Sequence, residues 1–270
     1  MNKDRLTMDE WIRQVLPSLG KQTFPVSRIA NVTLLAYFFW DDDRIETKFY
    51  TVECAFLCAF YRYGLMPSVL VVYRRTRRLE VFCGQYSIKI DIDPTLTGGV
   101  PRMNIDCNRN LYKRFDTDYV LIIQSDGMAV SSGLEEFIGK CDYVGAPWPA
   151  HTTWRKHLPY AKYLVGNGGL VLRSKLICRR AAELYDRWFA KLPYSWFVSD
   201  DVFYARTLRC LFPSYRRDFV FPSPEIAGRF AIEGNRDYLP SDKPPVGFHA
   251  EVGFRIYCEH YGLPLKELLV

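Results

Sequence analysis

Four short segments hold residue types that could do chemistry together. Gln124, Ser125, Asp126 and Gly127 close the apolar run 119–124. A carboxylate just beyond a buried strand stands where open α/β sheets keep their ligand sites. Its oxygens suit Mg²⁺ or Mn²⁺ held against a diphosphate, and Gly127 would let the backbone come close to a ligand. The same Asp126 could simply open a turn. Residues 165–169 read Val-Gly-Asn-Gly-Gly ahead of another apolar run. Asn167, Gly168, Gly169 and Gly166 permit positive φ and close contact with a bulky ligand, or make a plain glycine-rich bend. Asp200 and Asp201 open a helical pattern. One could cap the helix while the other accepts a proton from a hydroxyl nucleophile. His249, in Gly-Phe-His-Ala, could add a nitrogen ligand to the cation of Asp126, or be a structural histidine. His151, His157 and His260 lie in polar or terminal contexts and are given no role.

A fifth segment is basic. Arg74, Arg75, Arg77 and Arg78 follow an apolar run of strand length. Arginines at a strand end could bind phosphate through paired N–H groups, or form a solvated loop.

The periodicity says what must position these groups. Residues 4–19 read as an amphipathic helix with Leu6, Trp11, Ile12, Val15 and Leu16 near one face. Residues 21–28, with Pro25, form a linker. Apolar runs at 32–40, 68–73 and 119–124 suit strands buried on both faces, and 81–92 holds one or two more. Residues 49–63 are apolar nearly all round and read as a buried helix stopped by Gly64 and Pro67. A short helix is expected at 108–115. Ser132 with Glu135 is a capping-box pattern opening a helix through Ile138. Strands follow at 143–148 and 170–173. Ser174 caps a helix whose apolar face includes Ile177, Ala181, Leu184, Tyr185 and Trp188. Residues 200–211 form another, and Ser223 with Pro224 starts a third running towards Ile232. Strands alternating with helices indicate an α/β sandwich with a mainly parallel sheet, mixed after about residue 143. The expected division is residues 1–28 as N-terminal helix and linker, and 29–270 as one catalytic domain.

Composition narrows the class. The chain has 270 residues, 49% hydrophobic and 24% charged, enough for a sizeable core and unlike a disordered tail. No apolar run reaches the roughly 18 residues that cross a bilayer, and a secretory leader is not expected. The net charge of +6 fits an acidic substrate, a phosphate-bearing ligand or an anionic surface. It is too small, without a binding motif, to indicate nucleic acid. Eight cysteines contain no CxxC pair, which argues against structural zinc and for a reducing, cytoplasmic setting.

Taken in order, QSDG (124–127), DYVGAPW (142–148), VGNGGLVLRS (165–174), SDDVFYAR (199–206), EIAGRFAIE (225–233) and GFHA (247–250) form a recognisable series. It resembles a domain family of formally unknown function grouped with the GT-A glycosyltransferases, over roughly residues 30–252. The resemblance implies a GT-A-like, Rossmann-type α/β/α sandwich with a mixed, mainly parallel central sheet. It implies sugar transfer from a UDP- or GDP-linked donor to a glycan or lipid-linked acceptor, assisted by Mn²⁺ or Mg²⁺. Asp126 takes the metal position of the Asp-x-Asp motif, whose first carboxylate is here replaced by Gln124. His249 matches the late metal histidine. Gln124, Ser125, Gly127, Trp148, Asn167, Gly168, Gly169 and Arg74 are expected around donor and acceptor. Asp201, with Asp200 beside it, matches the motif that supplies the base of inverting members.

Two other readings stay open. Asp126, Asp200, Asp201 and His249 could form a hydrolytic metal site of a phosphoesterase or nuclease. The Gln124 replacement could mark a non-catalytic carbohydrate-binding relic. The basic loops and the Trp11 helix could also rest on an anionic membrane, or the helix could dock on its own domain.

Overall fold

The computed structural model describes residues 6–39, 42–148, 163–192 and 199–269. His151, His157, Trp40 and Asp41 lie outside them.

The β-rich apolar runs pair into one sheet. β1 (Val32–Phe38) is buried along its whole length, as is β2 (Ser68–Val72); β3 (Lys89–Ile92) is a more exposed edge, and β4 (Tyr119–Ile123) is buried after its first residue. All four run parallel, in the order β3-β2-β1-β4. Beyond β4 come β7 (Val165–Ser174), antiparallel to it, and β6 (Tyr143–Pro147), antiparallel to β7. The sheet is therefore mixed and mainly parallel. A smaller sheet joins β5 (Gly127–Ala129), β9 (Gly247–His249) and β8 (Ala231–Ile232), in that order, with Gly127 opposite His249.

Alternate residues of β1 feed two cores. Leu34, Ala36 and Phe38 meet α1 (Met8–Leu19), α2 (Asp42–Tyr63), α3 (Arg77–Gln85) and α10 (Ala250–Tyr261). Leu35 and Tyr37 meet α4 (Val100–Arg109), α5 (Lys175–Leu184) and the helical run of residues 200–211. Period-two side chains on a doubly covered sheet produce this division.

Several elements differ from the sequence expectation. The arginine run begins α3, whose Thr76 side chain caps Leu79 N–H at 3.4 Å, so residues 81–85 are helix and only Lys89–Ile92 is strand. The helix expected at 108–115 lies earlier, as α4, followed by a 3₁₀ turn at Leu111–Lys113. Ser132 caps nothing; a 3₁₀ turn at Leu134–Glu136 follows Gly133 at φ 114°. Trp188 is 56% exposed, and α9 (Pro224–Gly228) stops before β8, which takes Ile232. The glycine segment does not precede its strand: it lies inside β7.

α1 docks on its own domain. Trp11 is fully buried, 5.9 Å and 5.5 Å from the rings of Phe248 and Phe254, and its indole N–H donates to the Pro264 carbonyl at 3.0 Å. That ring is therefore not available to a membrane surface. No described helix is long and apolar enough to cross one.

Candidate functional site

The site is built on the two glycines at the centre of β7. Gln124 N–H donates to the Gly169 carbonyl at 3.0 Å, tying the end of β4 to β7. Gly127 N–H then donates to the Gln124 carbonyl at 3.0 Å, turning the chain into β5. A β-carbon on Gly127 would lie 2.1 Å from the Gly169 carbonyl oxygen. Its close approach is therefore to the protein's own backbone, not to a ligand as the sequence reading expected. Asn167 Oδ1 accepts from Gly169 N–H at 3.2 Å.

On one side of Gly169 sits His249. A β-carbon on Gly169 would fall 1.9 Å from the imidazole Cδ2. The ring's Nε2 is 3.2 Å from Asp126 Oδ1, and its Nδ1 is 3.4 Å from Glu233 Oε1. The second distance is too long for a full hydrogen bond, and buried Nδ1 has no hydrogen-bond partner. Ala250, just beyond, adopts φ 59° so that its N–H can donate to the Asp126 carbonyl at 2.9 Å. A non-glycine residue in this region stores local strain. Burial alone would lower the pKa of His249, but Asp126 and then Glu233 outweigh it and raise the pKa to about 10. Burial likewise opposes ionisation of Asp126, yet His249 holds it below the usual carboxylate value.

On the other side, Gly168 meets the acidic pair. A β-carbon there would stand 3.0 Å from Asp201 Cβ and 3.4 Å from Asp200 Oδ1. The pair belongs to α6 (Asp200–Val202), which continues through a π-helical turn, Phe203–Thr207, into α7 (Leu208–Leu211). Asp200 is not a helix cap. Its Oδ2 takes Arg173 from β7 at 2.5 Å, with both side chains buried. Arg173 lies 4.3 Å from the Tyr204 ring centroid and 5.2 Å from that of Tyr143. Asp201 Oδ1 accepts from Ser199 Oγ at 2.8 Å and Val202 N–H at 2.7 Å. Those contacts favour the ionised form, as expected for a helix start. Burial and then the Asp200 carboxylate push harder the other way and raise Asp201 to about 6.

Other expected residues lie further out. Ser125 is partly exposed in the turn before Asp126. Trp148 is buried, with Arg206 3.7 Å above its ring, so that face is closed to a sugar. Arg74 is exposed at the end of β2, with β1 between that strand and β4. Sequence reading missed Arg173 and Glu233. An arginine directly after the apolar run Leu170–Val171–Leu172, within the same strand, is the available signal, because a buried guanidinium requires a carboxylate.

The residues fit a divalent cation as a partial site. Among the described residues no group of three or more His, Cys, Asp or Glu side chains could hold a metal ion. The pair Asp126 and His249 nevertheless has workable spacing, because ligands at right angles around a cation at about 2.1 Å are roughly 3 Å apart. The unpartnered Nδ1 facing Glu233 matches the carboxylate that orients a metal-bound histidine. Such a cation would take its remaining ligands from a diphosphate and water, and the histidine would give up its proton.

The residues around this site fall within the span 100–249 that matches the family model described as protein of unknown function, DUF5672. The chain belongs to this DUF5672 family. No curated protein matches it. Among solved structures, it is similar to the bifunctional glycosyltransferase WbbM in its apo form, with TM-score 0.51 and 14% identity over 92% of this chain and 52% of that one. It is also similar to galactosyltransferase LgtC in complex with donor and acceptor sugar analogues, with TM-score 0.48 and 14% identity over 88% and 95% of the two chains. A further likeness is to mannosyltransferase PcManGT from Pyrobaculum calidifontis in complex with GDP-Man and Mn²⁺, with TM-score 0.36 and 12% identity over 63% and 52%. The DUF5672 chain thus spans about half the length of WbbM and of PcManGT. Its fold is GT-A-like.

Proposed function

We propose that this DUF5672 protein is a glycosyltransferase that moves a sugar from a UDP- or GDP-linked donor to a hydroxyl of a glycan or lipid-linked acceptor. The observation that carries the reading is the position of Gly168 and Gly169. They set His249 with Asp126 on one flank of β7 and Asp201 with Asp200 on the other. A donor diphosphate at the first flank and an acceptor hydroxyl at the second would meet over two residues that have no side chain.

In this reading Asp201 receives the proton of the attacking hydroxyl. A carboxylate with a pKa of about 6 is mostly ionised at neutral pH and basic enough to accept a proton in a transition state. Arg173 fixes Asp200, whose negative charge raises the basicity of its neighbour. Asp126 and His249 would hold Mn²⁺ or Mg²⁺, and Glu233 would orient the imidazole. That cation would neutralise charge on the departing diphosphate. Asn167 and Gln124 border the same strand ends and could bind donor hydroxyls. Free thiols at all eight cysteines fit a reducing cytoplasm.

The test is incubation with a panel of UDP- and GDP-sugars and Mn²⁺. Selective release of one nucleoside diphosphate, accelerated by an acceptor, is expected. Cleavage of simple phosphoesters without sugar selectivity would replace the reading with a phosphoesterase, and no turnover or donor binding would leave a relic.

A further inference from the structure

Beyond the acidic pair, the same helical run carries a guanidinium group, that of Arg209, which forms no ion pair with a carboxylate among the described residues. Arg209 lies 4.1 Å from the ring centroids of both Tyr163 and Phe221, clamped between two aromatic faces. Its Nε is buried without a hydrogen-bond partner. From α8 (Pro213–Asp218), Arg216 donates to the Tyr163 hydroxyl at 3.2 Å. Arg206 donates its Nε–H to the Tyr163 carbonyl at 3.0 Å. Arg216 likewise forms no ion pair with a carboxylate among the described residues, and its positive charge repels that of Arg209. Burial without a counter-charge lowers Arg209 to about 10. The stretch 149–162, between Trp148 and Tyr163, contains no Asp or Glu to supply one.

A desolvated cation with no partner is costly to keep. A guanidinium held flat between rings retains its donor edge, which matches an oxyanion in two-point geometry. Arg209 over the Tyr163 ring and the exposed Arg216 at its hydroxyl together suit a phosphate, with nearly two negative charges and three acceptor oxygens, better than a single carboxylate.

We propose that Arg209, over the ring of Tyr163, and Arg216, at its hydroxyl, bind a phosphate group carried by the acceptor. The acceptor assignment rests on the transferase reading. Arg209 stands eight positions beyond Asp201 on one helical run, about 12 Å along its axis. That span leaves room for the sugar whose hydroxyl faces Asp201.

The experiment is calorimetric titration of the full chain with inorganic phosphate at low salt, without divalent cations, and with glucuronate in parallel. Arg209→Gln and the exposed Arg216→Gln are titrated alongside; the second keeps the test valid if the first fails to fold. Saturable phosphate binding, weakened about ten-fold or more in each folded variant and stronger than glucuronate binding, is expected. Absent binding, binding that survives Arg216→Gln, or equal affinity for glucuronate would overturn the proposal. Nucleoside diphosphate release by the unaltered chain is measured in the same preparation. If release occurs but phosphate binding fails, only the acceptor class falls. If release fails while variant-sensitive phosphate binding holds, the anion site stands and the transferase reading falls.

Discussion

A β-carbon on Gly169 would lie 1.9 Å from Cδ2 of His249, a separation no pair of non-bonded carbon atoms tolerates. The imidazole therefore occupies the space that a side chain on β7 would fill. This contact holds His249 within 3.2 Å of Asp126, although 123 positions (249 minus 126) separate them in the chain.

Gly169→Ala should thus displace the imidazole while leaving the sheet intact. Turnover should fall by about 100-fold, the scale of an ångström-sized misplacement of a reacting group. Gly84→Ala is the control, because nothing lies within 4 Å of a β-carbon there and the residue is in a helix. It should keep full activity and gain up to about 1 kcal/mol of stability. Steady-state kinetics and thermal melts of both variants check this.

Asp201→Asn should lower turnover by about 100-fold or more, the usual range of general-base catalysis. Its effect on stability has the opposite sign. The folded pKa is about 6, above the ordinary carboxylate value of 3.8, so the folded state binds the proton more tightly. The stability this group contributes is fully present below about pH 4 and is lost as pH rises through 6. Asp201→Asn should therefore be more stable than the parent at pH 7.5, by on the order of 1–3 kcal/mol, and lack that part of the pH dependence. Urea unfolding at pH 4 to 7.5 measures it.

Breaking the Asp200 pair should be costlier than removing a helix cap. The sequence suggested a cap worth on the order of 1 kcal/mol. In the fold, Asp200 neutralises Arg173, which is fully buried. Asp200→Asn should destabilise by about 3–5 kcal/mol, because a buried guanidinium loses its charge partner. Arg173→Met combined with Asp200→Leu should recover part of that loss. Equal stability of Asp200→Asn and parent in urea would contradict the assignment.

Much of this arrangement was legible before folding, and the misses have physical reasons. β1, β2 and β4 are buried on both faces, so their composition alone marks them. α3 was hidden because Arg77 and Arg78 at its start are polar and the capping Thr76 is a weak signal. The sequence leaves the glycine segment open between a ligand-contacting stretch and a plain bend, because glycine count cannot tell positive φ from close packing. Here Gly168 and Gly169 serve packing, against Asp201 and His249. Glu233 and Arg173 act through residues remote in sequence, His249 and Asp200, and only the tertiary contact shows their use.

Trp11→Ala should destabilise the whole domain by about 3–5 kcal/mol, the scale of deleting a buried aromatic ring. Phe248 and Phe254, which flank that ring, would lose their cover next to His249. Binding to anionic vesicles should be the same for parent and variant, because the indole does not reach the surface. Chemical denaturation and vesicle flotation separate the two effects.

The most direct measurement is a crystal structure with a nucleoside diphosphate and Mn²⁺. The cation should be bonded to Asp126 and His249, with the diphosphate against it and the terminal phosphate facing Gly168, leaving Asp201 open to the acceptor side. A nucleotide bound elsewhere, or a cation that leaves Asp126 and His249 untouched, would contradict it.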